Sequence, residues 1–175
     1  MSDDTERCEV EFCGFEWDSV GPIEIGQRIV KSSGMMADLV ADGASSEIRT
    51  SSDVWSQLEY AGHVRDVLLN LRDRIVVGIN EDNPICKGLY GTPRIDLGLY
   101  KGDSPDAVAQ ELKMAASLFS RTWDRIPDNL RGKTMEFGWP RMADRSLTWI
   151  AAQALHEVEH HLADVRSGSV SRNEF

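Results

Sequence analysis

From Ala151 to Val165 an apolar residue recurs every three or four positions, at Ala151, Leu155, Val158, Leu162 and Val165. That is the spacing an α-helix presents along one face. Threaded between these residues are His156, His160, His161, Glu157, Glu159 and Asp164. A helix that must bury its stripe while carrying so many ionisable groups has few solutions. Either those groups face water, or some of them are gathered together inside. The helical turn of about 100° per residue sorts them. Relative to Val158, His161 lies about 60° round, Glu157 about 100° round in the same direction, and Asp164 about 20° further. These three stand at the edge of the apolar stripe. His156 and His160 fall about 160° away on either side, on the outward face with Trp149.

A glutamate and a histidine four residues apart on one helix can hold one divalent ion from the same side. The fourth histidine, His63, lies in a second long periodic stretch whose stripe is Tyr60, Val64, Val67, Leu68, Leu71 and Ile75. It stands about 100° from Val64, at the stripe edge. The ligand set His63, Glu157 and His161 would leave coordination positions open, as catalytic metal sites do. Neutral imidazole and carboxylate suit zinc, nickel, iron or manganese. The competing reading is a hydrogen-bonded histidine on a half-buried face beside a solvated Glu/His-rich helix. Periodicity alone does not make the two helices neighbours.

Two more periodic stretches complete the pattern. The first opens near Asp18-Ser19 and Pro22, carries Ile25, Ile29, Met36, Leu39 and Val40, is weakened by Gly34 and is stopped by Gly43. A Ser-rich link, Ala44 to Ser52, leads to the second helix, Val54 to Ile79, with Asp53 or Ser52 as its cap. Ser104-Pro105-Asp106 begins the third, through Val108, Leu112, Ala115, Ala116, Phe119 and Trp123 to Ile126, and Pro127 ends it. The fourth opens at Asp144 or Ser146 and continues to Val165. Four amphipathic helices imply an all-α four-helix bundle occupying residues 18 to 167 as one domain. Residues 1 to 17 form an irregular lead-in that Phe12, Phe15 and Trp17 can pin to the body, and 168 to 175 form a polar tail. Asn80 to Asp103 is dense in glycine and proline and reads as a long loop, either the wall of a pocket at the bundle end or a crossover. Asp128 to Pro140 is a second loop.

A net charge of −10 argues against nucleic acid or an anionic membrane as partner. No apolar run is long enough to span a bilayer, and the acidic start Met1 to Glu6 is unlike a secretory signal, so a cytoplasmic location is expected. Cys8 and Cys13 have a spacing that zinc sites use, but a second ligand pair would be needed, and Cys86 is the sole cysteine left to supply it. Reduced thiols are therefore the expectation.

Trp55 to Leu68, W-S-Q-L-E-Y-A-G-H-V-R-D-V-L, resembles the first signature of the DinB/YfiT-like superfamily of metal-binding four-helix bundles, in which a tryptophan precedes a helical histidine ligand by eight residues. His156 to Val165, H-E-V-E-H-H-L-A-D-V, resembles the second, an i, i+4 ligand pair in the last helix. Cys13-Gly14-Phe15 is similar to the end of the Cys-x-x-Cys-Gly-Phe motif that begins actinobacterial relatives, with Cys8 outside that spacing. Members commonly use three histidines. Aligned on the final His-His, the last-helix pair falls on Glu157 and His161, a His/Glu/His set similar to the mycothiol-dependent maleylpyruvate isomerase branch. Alignment by one residue less gives His156 and His160 instead, and the helical period prefers the former. The resemblance implies a metal, zinc first, and a small thiol of the mycothiol or bacillithiol type activated there for transfer or isomerisation of a small-molecule substrate. It would leave Asp164 to orient a ligand, and Asn70 and Arg74 to meet substrate or thiol, a structural ion pair being the competing role for Arg74. Metal-assisted hydrolysis is the second expectation. The third is a non-enzymatic bundle that forms a homodimer through the outward side of the last helix, with Trp149, His156 and His160 in the interface.

Overall fold

The computed structural model describes residues 6–10, 13–42 and 46–167. Phe12, Gly43, Ala44 and the 168–175 tail, which carry some of the expectations above, lie outside the described residues. Four long helices form the body: α1 (Ile25–Asp42), α2 (Gln57–Asn80), α4 (Pro105–Asp124) and α6 (Leu147–Ser167). Two short helices, α3 (Gly91–Asp96) and α5 (Asp128–Arg131), and three short strands, β1 (Ile85–Cys86), β2 (Thr134–Phe137) and β3 (Ala143–Ser146), sit in the connections. A 3-10 turn at Trp17–Ser19 precedes α1.

The helices form where their stripes can be buried. Ile25, Ile29, Met36 and Val40 of α1, the Tyr60 to Ile75 stripe of α2, Val108 to Trp123 of α4 and Ala151 to Val165 of α6 make one core. Each such large side chain contributes about 1.5–3 kcal/mol by leaving water. Leu39, expected on the stripe of α1, is half-exposed, and Ser33 and Ala37 take the buried positions instead. At the start of α2 the cap is Ser56, not Ser52 or Asp53. Its hydroxyl accepts from the Glu59 amide (3.2 Å) while the Glu59 carboxylate accepts from the Ser56 amide (2.8 Å). This reciprocal pair satisfies two orphan donors at once, an advantage Asp53 does not have. Ser146 caps α6, accepting from the amide of Trp149 (3.1 Å).

α1 packs against α4 and α6, and α2 packs against the same two, so α1 and α2 lie on one diagonal of the bundle. The α2–α4 link therefore joins neighbours and is not a crossover. It folds over α2 instead, fixed by Asp66, whose Oδ2 accepts from Arg94 Nη1 (2.8 Å) and from Tyr100 Oη (2.9 Å). Gly62 makes the approach feasible, since a Cβ there would meet the Tyr100 ring at 2.9 Å.

The strands were not visible as periodicity, because two to four residues are too few to show alternation. β1 runs parallel to β2 with Ile85 opposite Glu136, and β2 runs antiparallel to β3 with Met135 opposite Arg145. Met135 and Phe137 turn into the core. β3 leads without a break into α6, so the sheet sets where the last helix begins.

The described part of the lead-in, residues 6–10 and 13–17, packs against the body. Cys8 donates its amide to Phe15 O (2.8 Å), Arg7 and Glu16 form a bridge, and Gly14 turns the chain at φ +58°. Glu6 pairs with Arg145, and Trp17 is stacked on Trp149 at 5.6 Å.

Candidate metal centre

α2 and α6 are neighbours, and their contact brings His63, Glu157 and His161 together. Glu157 and His161 lie one turn apart on α6, and His63 faces them from α2. Each residue is at most 1% exposed. Glu157 Oε2 stands 3.3 Å from Nε2 of His63 and 3.3 Å from Nε2 of His161. The His63 contact has hydrogen-bond geometry. The His161 contact does not, and His161 Nε2 has no hydrogen-bond partner. A buried imidazole nitrogen aimed at a carboxylate but misaligned with it is the arrangement expected of donors that converge on a common point. The separation agrees with that: ligands on bonds of ~2.05 Å in a tetrahedral site stand roughly 3.3 Å apart.

Each donor is held from behind. His161 Nδ1 lies 2.9 Å from Asp164 Oδ2, so its protonated nitrogen is the outer one and Nε2 is left for the centre. Glu157 Oε1 accepts from Gln153 Nε2 (2.9 Å), and Gln153 Oε1 accepts from Trp17 Nε1 (2.7 Å), a relay from the lead-in to the Glu157 carboxylate. Trp55 packs edge-on against His63 at 5.3 Å, and Tyr60 lies 5.2 Å from His161. Gly91 of α3 presses on His63: a Cβ there would stand 2.7 Å from Cε1 and 2.9 Å from Nδ1. Gln153, Tyr60 and Gly91 escaped sequence reasoning, although Gln153 sits one turn before Glu157 on the same face.

Charge follows the geometry. Burial pushes His63 down, so it is neutral. Burial alone would lower His161 too, but Asp164 and Glu157 beside it raise it to about 9. Against burial, which by itself would raise it, His156, His161 and His63 hold the Glu157 carboxyl well below the usual carboxylate range. A carboxylate this deep needs positive charge nearby, because stripping its water costs several kcal/mol. A proton on His161 supplies that charge, and a divalent ion would supply it better.

His156 and His160 do point away from this centre, but neither is on the surface. Both are at most 1% exposed and Trp149 is 7% exposed. Phe15, Trp17 and Trp139 pack around His156 at 5.2, 4.8 and 5.7 Å. Phe15 and Trp17 of the lead-in and Trp139 of the β2–β3 turn cover this face, so Trp149, His156 and His160 are buried within the chain and not offered on its surface. A third of a turn decided the direction correctly; a non-periodic segment decided the burial.

Asn70 and Arg74 follow His63 along α2 and line a cleft of about 480 Å³ with Asp66, Leu69, Leu89 and Arg94. Arg94 is paired with Asp66, whereas Arg74 forms no ion pair with a described residue, contrary to the structural role considered for it. No helix among the described residues is long and apolar enough to cross a membrane.

Among solved structures, one from Bacillus subtilis superposes over 87% of this chain and 89% of its own with a TM-score of 0.76 and 13% sequence identity. The fold is that of YfiT. YfiT is described as a probable metal-dependent hydrolase with an unusual four-helix bundle topology. No family model and no curated protein sequence matches the chain.

Proposed function

We propose that His63, Glu157 and His161 hold one divalent metal ion and that the protein is a metal-dependent enzyme acting on a small molecule, in the first instance by hydrolysis. The observation that carries this reading is the convergence of two imidazole nitrogens, each 3.3 Å from the same Glu157 oxygen, in a fully buried setting. The YfiT fold is the supporting analogy for hydrolysis. Three protein ligands leave coordination positions to others, and a divalent ion bound there supplies a Lewis acid and lowers the pKa of a small nucleophile.

The chain's own residues have distinct tasks. Glu157 is a ligand and not a general base, since Oε1 is engaged by Gln153 and Oε2 faces both histidines. Asp164 is a positioning residue that fixes the His161 tautomer. Trp55 and Gly91 pack against the His63 ring and Tyr60 against that of His161, which fixes the two imidazoles in place. The cleft that begins one turn from His63, at Asp66, is where a substrate would lie, with the Arg74 guanidinium as partner for an anionic group and Asn70 for a neutral one. A second reading, transfer or isomerisation with a low-molecular-weight thiol, is favoured by the single carboxylate in the ligand set, the feature that resembles the mycothiol-dependent branch.

Metal content of the purified, metal-supplemented protein tests the centre. His161→Ala should lose one equivalent, and full retention would refute the assignment. Turnover then separates the reactions: ester or amide cleavage without thiol supports hydrolysis, whereas consumption of an electrophile only when thiol is present supports transfer. The metal itself, zinc, nickel, iron or manganese, is read by the same elemental analysis.

A further inference from the structure

The lead-in carries two cysteines that the proposed centre leaves unused, and they end beside the two histidines it also leaves unused. Cys8, Cys13, His156 and His160 each present one donor atom, and all four atoms lie within 4.8 Å of one another. We propose that these four side chains form a second, structural metal site of the Cys2His2 type, taking zinc, that clamps the lead-in at Cys8 and Cys13 onto the back of α6.

Four observations support the assignment. The spacings, four residues between the cysteines and three between the histidines, are those of structural zinc sites. Cys8 Sγ stands 3.8 Å from His160 Nδ1, against a thiolate–imidazole edge of roughly 3.6 Å for ~2.3 Å and ~2.05 Å bonds. His156 is wholly buried, and its Nε2 has no hydrogen-bond partner. The groups beside the ring are the Cys13 and Cys8 thiols, which an ion held between them would join to it. Finally, the outer nitrogens lie on the carboxylate side of the rings, beyond hydrogen-bond length but near enough to orient them: His156 Nδ1 is 3.5 Å from Glu157 Oε1, and His160 Nε2 is 3.7 Å from Asp164 Oδ2.

The charge balance suits an interior position. Two thiolates neutralise the ion, the imidazoles stay neutral, and no net charge is buried. With four protein donors no coordination position is left for substrate, which makes the site structural. An access path exists, since Cys8 borders a cleft of about 460 Å³ together with Arg7, Val10, Trp139 and Arg141. The two clusters stand back to back on α6. Asp164 Oδ2 faces both His161 and His160, and Glu157 faces His63 and His161 with one oxygen and His156 with the other. Losing the clamp would thus release Trp17 from Gln153 and loosen the support of Glu157.

The test uses the full chain, loaded with zinc for metal counting and with cobalt(II) for spectroscopy. Wild type should hold two equivalents of zinc, and the double variant Cys8→Ser/Cys13→Ser should hold one less. The cobalt-loaded wild type should show a sulfur-to-cobalt charge-transfer band that His161→Ala retains and the cysteine variant loses. Zinc-edge X-ray absorption of His161→Ala should show sulfur neighbours at ~2.3 Å beside nitrogen at ~2.0 Å. Absence of sulfur from the cobalt spectrum or the absorption edge of folded wild type would overturn the proposal, as would an unchanged metal count in the cysteine variant. If the cysteine variant fails to fold, the wild-type and His161→Ala spectra still decide. A chain that keeps the sulfur signal while His161→Ala loses no metal would refute the His63 centre and leave this one standing.

Discussion

Replacing Gly91 by alanine adds one methyl group against the most confined ligand of the proposed centre. The new Cβ would stand 2.7 Å from Cε1 and 2.9 Å from Nδ1 of His63, closer than carbon and ring atoms approach without displacement. The ring is confined on two further sides, since its Nε2 stands 3.3 Å from Glu157 and Trp55 packs edge-on against it. Two effects compete. Gly91 is in a short helix at an ordinary negative φ, so alanine alone would stabilise by about 0.4–1 kcal/mol through the unfolded chain. Overpacking costs about 1–3 kcal/mol and should win. If His63 gives way, the cost falls on metal binding, a weakening of roughly 5- to 150-fold. If the α2–α4 link gives way, it falls on folding. Chelator competition measures the first and urea denaturation of the metal-free protein the second. Gly88→Ala, in the same link with nothing within 4 Å of its Cβ and no positive φ, is the control: it should leave metal affinity unchanged and stabilise the fold by about 0.4–1 kcal/mol. A Gly91→Ala protein at least as stable as wild type and with unchanged metal affinity would refute the placement of this link on His63.

Three further outcomes follow from the geometry. Asp164→Asn should weaken metal binding at the His63 centre by about 10- to 100-fold while leaving the three ligands in place, because the outer partner of a ligand histidine sets its orientation and basicity; chelator competition reads this. Binding at that centre should release a proton at pH 7, since His161, raised to about 9, is charged in the metal-free protein and must shed that charge to ligate. Affinity should therefore climb with pH up to about 9, and calorimetry in buffers of different ionisation enthalpy should count about one proton released; a release of zero contradicts the assigned charge state. Ser56→Ala should cost about 1 kcal/mol in urea denaturation by removing the α2 capping box, whereas loss of the same size at Ser52 would show that the cap is misplaced.

Much of the helical body was legible in the residues. Stripes of period 3.6 located α1, α2, α4 and α6 to within a few positions, because burying such a stripe is the dominant favourable term and leaves a repetitive trace. The same period separated Glu157 and His161 from His156 and His160, since direction around a helix is local geometry. The exposed Leu39 and the displaced cap at Ser56 show where local signals were ambiguous. Several serines competed for the one cap that a partner three residues on could complete.

Other features depended on parts of the chain meeting across long sequence distances. That α2 lies beside α6, making His63 a partner of His161, is decided by packing across 94 to 98 positions, as His63–Glu157 shows at |i−j| 94. The burial of His156 and His160 is decided by a lead-in that has no period and by the Trp139 turn. Cys8 and Cys13 looked like half a site because the other half, already marked as a ligand pair, stood on the far side of the sequence. Residue spacing reports which side chains share a face. Only the tertiary structure decides what covers that face, because the cover is chosen by shape and chemistry between segments that carry no record of each other.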